Sequence, residues 1–110
     1  MMNLDECRMR IDQVDTQLME LLKERFLIVG EVAAWKEANH VPVYDAAREE
    51  AKIIRVRREA GGEELADYCE EIFRAIMAAS RHSEEKSLLI GKSKKTDKDL
   101  HGNEFKREEE

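Results

Sequence analysis

The feature that most constrains this chain is an apolar seam that repeats every seven residues along residues 4–38. One series runs through Leu4, Ile11, Leu18, Arg25 and Val32, and a second through Cys7, Val14, Leu21, Ile28 and Trp35. Such interleaved series form the contact face of a long helix that packs against another helix. Arg25 stands where an apolar residue is expected. Because a guanidinium cannot release its proton, a buried Arg25 would need an anion as its partner.

The length of this helix predicts an obligate dimer. A helix of ~35 residues measures ~50 Å, which exceeds the diameter of a compact domain of this size. A second copy of the chain must therefore cover the seam. The single proline, 5% aromatic residues and 40% charged residues favour helices over a β-sandwich. We predict an all-α fold of three helices (long, short and long) in an intertwined homodimer.

Local signals set the helix boundaries. The first helix is expected to run from about Asn3 to about Asn39, because Pro42 disfavours helical backbone in the residue before it. Asp45 is a good N-cap for a second helix, which ends before Gly61. The third helix opens two residues later.

The C-terminal segment has a different composition. Residues 92–99 and 106–110 mix both signs of charge and are nearly devoid of apolar side chains. We predict a helical domain at residues 1–88, followed by a charged, disordered tail at residues 89–110.

Charge and hydropathy exclude several classes of function. The net charge of -6 argues against nucleic acid as the main partner. No apolar run is long enough to span a membrane, and the N-terminus lacks the layout of a signal peptide, so we expect a cytoplasmic protein. Cys7 and Cys69 show neither metal-ligand nor redox-motif spacing, and we interpret both as reduced packing residues.

Three cations of the first helix are candidates for an anion site. Lys36 follows Arg25 by eleven residues, so both point to nearly the same side of the helix, ~16 Å apart. Arg8 is rotated ~100° from that face and lies ~25 Å from Arg25. Only a two-fold partner could bring its own Arg8 to the same site.

The other two helices carry further polar candidates. Asp45, Arg48, Glu49 and Lys52 share one side of the second helix, where a solvated, salt-bridged face is the alternative interpretation. Ser80 and Glu84 continue the apolar stripe of the third helix, and the ordinary end of that stripe is the alternative there. The sequence shows no phosphate loop, metal motif or nucleophile elbow, and the histidines are scattered.

These polar residues fall into four spaced motifs. They are Arg8-x-x-Ile11-x-x-x-Asp15-x-x-Leu18-x-x-Leu21-Leu22-x-x-Arg25, Val32-x-x-x-Lys36, Pro42-Val43-x-Asp45-x-x-Arg48-Glu49 and Ser80-x-x-x-Glu84. With this pattern the chain resembles the all-helical class of chorismate mutases over about residues 4–86. The tail has no counterpart in that class, so the chain is similar to its free-standing form.

The resemblance implies conversion of chorismate to prephenate, a unimolecular rearrangement that needs no cofactor and no metal. Arg25 and the partner's Arg8 would clamp the two substrate carboxylates, and Lys36 would donate to the ether oxygen and to a carboxylate. Asp45 and Glu49 would meet the ring hydroxyl, with Arg48 holding this acidic pair and the adjacent carboxylate. Ser80 would lie beside the site.

Glu84 departs from the family pattern, because members often have Gln there to donate a hydrogen bond to the ether oxygen. An ionised carboxylate cannot donate, whereas a protonated one can. We therefore expect activity to be greatest at acidic to neutral pH and to fall as Glu84 ionises.

Two alternative functions stay open at this point. Isochorismate-pyruvate lyases share the fold and the cationic clamp, but they differ in the loop before the second helix and lack the Asp45-x-x-Arg48-Glu49 arrangement. A non-catalytic helical dimerisation or ligand-sensing module would account for the heptads but gives no reason for Arg25 on the seam.

Overall fold

A reciprocal capping box begins the first helix. The computed structural model describes the backbone of residues 1–107 and the side-chain surroundings of residues 1–87. Helix α1 spans Leu4–Ala38. The Asn3 side chain accepts from the N–H of Glu6 at 2.8 Å, and the Glu6 carboxylate accepts from the N–H of Asn3 at 3.2 Å. These bonds satisfy N–H groups that have no partner within the helix, and they confirm the predicted start.

Helix α1 ends in a left-handed turn at His40. The N–H of Val41 donates to the carbonyl of Lys36 at 2.8 Å, and the N–H of His40 donates to that of Glu37 at 3.3 Å. His40 adopts a φ of 57°, in the region that a glycine usually occupies at this point of a helix terminus. The turn leads residues 41–45 back alongside the last turns of α1.

The second helix begins and ends at the predicted signals, and the third begins at the predicted residue. Helix α2 spans Ala46–Ala60, and its N-cap Asp45 accepts from the N–H of Arg48 at 3.0 Å. Gly61 ends α2 with a φ of 81°, a backbone conformation that glycine adopts without steric cost. Helix α3 spans Glu63–Arg107. The predicted all-α fold of long, short and long helices is confirmed.

Helix α3 is continuous past the predicted domain boundary. Its backbone runs through Arg107, whereas the side chains from residue 88 onward and residues 108–110 lie outside the described part of the structure. The division into a domain at residues 1–88 and a charged tail at residues 89–110 stays a prediction.

The helices form a single layer in which α3 packs against both α1 and α2. The layer extends 59 × 35 × 14 Å, and 14 Å is little more than the diameter of one helix. Among residues 1–87, the buried apolar side chains are accordingly few: Ala33, Ile53, Val56, Ala66 and Met77. In addition to this apolar contact, Arg57 of α2 forms ion pairs with Asp67 and Glu70 of α3 at 3.0 and 2.8 Å.

Most of the heptad seam of α1 is exposed in the single chain. Its side chains that are half or more exposed are Leu4, Ile11, Val14, Leu18, Leu21, Ile28 and Trp35, and Leu65, Tyr68 and Ile72 of α3 are exposed to a similar degree. A monomeric protein rarely leaves so continuous an apolar stripe in water. Among the described residues, the helices lack the combination of length and apolar character that crossing a bilayer requires.

Candidate active site

A cavity of about 150 Å³ lies between α1, the loop before α2, α2 and α3. It brings together seven of the eight predicted site residues, all except Arg8. Its lining residues, in chain order, are Arg25, Val29, Val32, Lys36, Val43, Asp45, Arg48, Glu49, Lys52, Met77, Ser80, Arg81 and Glu84. Every helix contributes, so the site exists only when the three helices are packed.

The cavity carries an excess of positive charge. Five cations and three carboxylates line it, which leaves a formal charge of +2 when all eight are ionised. Three valines, Met77 and Ser80 form the rest of the wall. This balance complements a small dicarboxylate.

Arg25 is held in the cavity by a neutral partner. Its Nη1 donates to Ser80 Oγ at 2.5 Å, and the Ser80 hydroxyl in turn donates to the carbonyl of Ile76 at 2.8 Å. Within residues 1–87, no carboxylate lies at ion-pair distance from Arg25. Ser80 therefore orients the guanidinium while leaving its charge uncompensated.

Lys36 is placed by the backbone of the loop and faces Glu84. Its ammonium group donates to the carbonyl of Val43 at 2.7 Å and lies 3.2 Å from Glu84 Oε1. An ammonium group has three donors, so Lys36 keeps at least one for a ligand. Glu84 Oε1 is buried and, among the described residues, has no aligned hydrogen-bond partner, because the contact with Lys36 lacks hydrogen-bond geometry.

The first turn of α2 presents Asp45, Arg48 and Glu49 to the cavity. Asp45 is fixed as the N-cap of this helix, and Arg48 and Glu49 follow within one turn, so their backbone positions are set by the cap. The exposed N–H groups of the first turn add a partial positive charge at the same place.

Arg81 belongs to the cavity, although its position was not among the predicted site residues. Its Nη1 donates to Glu49 Oε1 at 2.5 Å and also to Glu49 Oε2. Its guanidinium carbon lies 5.1 Å from the centre of the Tyr44 ring. The sequence held a signal for it, because Arg81 follows Met77 by four residues and precedes Glu84 by three, on the same helix face.

Lys52 is a fifth cation that was grouped with the polar face of α2 but not assigned to the site. Burial lowers its pKa from the ordinary value of 10.5, and the nearby charges of Arg48, Arg55 and Arg25 lower it further. A cation crowded by other cations is stabilised by any anion that enters.

Arg8 is exposed and is not part of the cavity lining of its own chain. It precedes Arg25 by seventeen residues of continuous helix, which places it ~25 Å away along the axis. Its assignment to a site across a dimer interface stays a prediction.

Comparison with known protein families matches residues 7–85 to the family described as chorismate mutase type II. This span covers most of the chain and includes Arg8 and every residue that lines the cavity. The chain belongs to the type II chorismate mutase family. Its activity is that of an isomerase, which rearranges chorismate to prephenate in the biosynthesis of aromatic amino acids. A search of curated proteins found no match to the sequence.

Chorismate mutase activity agrees with the chemistry of the cavity. The reaction is unimolecular, so the protein has to fix one conformer of the substrate and stabilise the charge that develops as the ether bond breaks.

Proposed function

We propose that this chorismate mutase binds its substrate in the cavity between the three helices and acts as a homodimer. Each of the two cavities would be completed by Arg8 of the other chain. The charge of the cavity supports a dicarboxylate ligand, because cations outnumber carboxylates in its lining and attract a dianion.

The observation that carries this proposal is the state of Arg25. Its guanidinium is only partly exposed and is hydrogen-bonded to a hydroxyl rather than paired with a carboxylate of residues 1–87. A partly buried, uncompensated cation is costly for the free protein. A substrate carboxylate would remove that cost through a bidentate pair, and Arg8 of the partner would hold the second carboxylate.

Lys36 and Glu84 are the residues we assign to the breaking bond. Both side chains face the same point of the cavity, with 3.2 Å between Nζ and Oε1. Lys36 would donate to the ether oxygen and to a carboxylate, and Glu84 would donate to the ether oxygen in its protonated form. These bonds strengthen as negative charge grows on that oxygen, so they favour the transition state over the substrate.

The acidic pair at the start of α2 would bind the neutral end of the substrate. Asp45 and Glu49 offer carboxylate oxygens to the ring hydroxyl, which can donate to either of them. Arg48 would hold the adjacent substrate carboxylate, while Ser80 orients Arg25.

The exposed seam supports the homodimer. The layer is one helix thick, and its apolar side chains on α1 and α3 have no cover within the described chain. A second copy related by a two-fold axis would bury the seam against itself, because the same surface then contacts its equivalent. A cytoplasmic location stays a prediction.

The first test is the reaction of the purified chain with chorismate and, separately, with isochorismate. Prephenate from chorismate with no pyruvate from isochorismate is the expected result. Pyruvate release from isochorismate without prephenate formation would instead support the lyase. Loss of both activities in a folded dimer would support the non-catalytic module and overturn the proposal.

A mixed dimer tests the contribution of Arg8 across the interface. Arg8→Ala and Arg25→Leu homodimers should each be inactive, because every site lacks one arginine. When the two chains are refolded together, each heterodimer contains one intact site and one site with both changes. About a quarter of the parental activity should return, because half of the dimers are mixed and carry one working site. No recovery, in a sample shown by mass to contain the mixed dimer, would contradict the assignment.

A further inference from the structure

Arg81 of α3 forms an ion pair with Glu49 of α2 across the cavity. A single nitrogen, Nη1, donates to both carboxylate oxygens of Glu49. Both side chains are largely withdrawn from solvent, with 31% of Arg81 and 20% of Glu49 exposed. Each carboxylate oxygen has two lone pairs, so the pair with Arg81 leaves acceptor capacity on Glu49 for another donor.

A second contact fixes the guanidinium from the side of the loop. Its carbon lies 5.1 Å from the centre of the Tyr44 ring, within the range of a cation–π interaction. Tyr44 directly precedes the N-cap Asp45, and Val43 before it accepts from Lys36. Arg81 is thus held against the loop that carries the cavity residues Val43 and Asp45, and it cannot turn away without losing both contacts.

We propose that Arg81 is a positioning residue that holds the Glu49 carboxylate in the orientation needed to accept the substrate's ring hydroxyl. The inference depends on the proposed function, because it takes the hydroxyl as the group that Glu49 meets. A free glutamate on a helix samples several rotamers, and ordering one of them costs conformational entropy when the ligand binds. With Arg81 in place, that ordering is present before the substrate arrives.

The alternative is that Arg81 only ties α3 to α2. Arg57 provides a control for Arg81. It also joins the two helices, through Glu70 at 2.8 Å, but it lies outside the cavity lining. Replacing Arg81 removes its ion pair with Glu49, and replacing Arg57 removes its ion pairs with Glu63, Asp67 and Glu70. Only the Arg81 pair includes a carboxylate of the site.

The experiment compares Arg81→Met with Arg57→Met on two substrates, chorismate and an analogue that lacks the ring hydroxyl. For Arg81→Met, kcat/KM for chorismate should fall on the order of 10- to 100-fold, because a misplaced binding group costs this much. The fall for the analogue should be less than about threefold, because Glu49 has no hydroxyl to meet. Arg57→Met should lower the thermal midpoint and leave both kcat/KM values at the parental level.

Double substitution gives an independent readout. If Arg81 acts through Glu49, adding Arg81→Met to Glu49→Gln should cause little further loss with chorismate, because the group being positioned is already altered. Equal losses for chorismate and the analogue would overturn the proposal, since Arg81 would then meet a group that both substrates share. Losses that multiply in the double variant would overturn it too.

Arg81→Lys provides the same comparison if the methionine variant does not fold. Lysine keeps the charge but lacks the planar guanidinium that contacts Tyr44, so the selective loss for chorismate should persist in weaker form. A parental chain that forms no prephenate would refute the proposed function itself. A parental chain with full activity whose Arg81 variants are unimpaired would refute only this inference.

Discussion

Lys36 and Glu84 face each other across 3.2 Å, yet their atoms are not aligned as a hydrogen bond. Only 16% of the Lys36 side chain and 8% of the Glu84 side chain are exposed, so both groups are largely withdrawn from solvent. A buried acceptor without a hydrogen bond costs about 1–3 kcal/mol. A donor on the ligand, or a proton on Glu84 directed at a ligand acceptor, would remove this cost.

Glu84→Gln should change the pH dependence of the reaction. Glu84 can donate to the ether oxygen only in its protonated form, whereas an amide donates at every pH. The kcat/KM profile of the variant should therefore differ from that of the parent. Glu85→Gln, at the exposed neighbouring position, is the control and should keep the parental profile. A Glu84→Gln profile that matches the parent would reject the role of the proton.

Arg25→Leu should remove catalysis and leave the fold intact. The variant loses the guanidinium that we assign to a substrate carboxylate, and loss of such a donor lowers kcat/KM on the order of 10²- to 10³-fold. Leucine restores the apolar pattern of the seam, so the thermal midpoint should not fall. Steady-state kinetics and circular dichroism check both statements.

Ser80→Ala separates the charge of Arg25 from its orientation. The variant keeps the cation but removes its 2.5 Å hydrogen bond. Its loss of kcat/KM should be smaller than that of Arg25→Leu. An Arg25→Leu enzyme with parental kinetics would mean that the guanidinium has a structural role alone.

Lys52 should take up a proton when a dicarboxylate binds. In the free protein, burial and neighbouring cations hold its pKa below 10.5, and a bound dianion opposes both effects and raises it. Calorimetric titration at alkaline pH, in buffers of different ionisation enthalpy, should show proton uptake with the product prephenate. Lys52→Met should abolish the uptake. Uptake of the same size in that variant would assign the proton to another group.

The lowered pKa of Lys52 also makes the stability of the ligand-free protein depend on pH. Because the folded chain binds the Lys52 proton less tightly than the unfolded chain, the contribution of Lys52 to stability rises with pH between its lowered pKa and 10.5.

His40→Gly should stabilise the protein. His40 has a φ of 57° in the turn that ends α1, and a side chain in this region is strained where glycine is not. We expect a gain of about 0.5–1 kcal/mol in the free energy of unfolding, measured by denaturant titration at fixed protein concentration. His40→Ala, which keeps the strain, should give no gain, and equal effects of the two substitutions would contradict this explanation.

The helix boundaries were predictable because the groups that set them are close in sequence. Asn3 and Asp45 satisfy backbone N–H groups three residues away, and Gly61 supplies a conformation that few other residues adopt. The extent of α3 was not predictable in this way, because residues 92–99 carry no apolar stripe and yet the helix continues through Arg107.

The cavity was predictable only where residues on one helix share a face. Spacing places Arg25 and Lys36 on one side of α1 and groups Asp45, Arg48 and Glu49 at the start of α2, but the assignment of the second group to the site came from the family resemblance. The pairing of Arg81 with Glu49 depends on how α3 is rotated against α2, and the bond from Lys36 to Val43 depends on the path of the loop after the His40 turn. Such relations join residues seven to 32 positions apart and have no periodic signal in the sequence.

A layer only 14 Å thick has a consequence for how the protein must be handled. A layer this thin buries few apolar side chains within residues 1–87, so in the proposed homodimer folding and association would be coupled. The melting temperature should then rise with protein concentration. At high dilution, the activity measured in an assay would be limited by dissociation of the dimer.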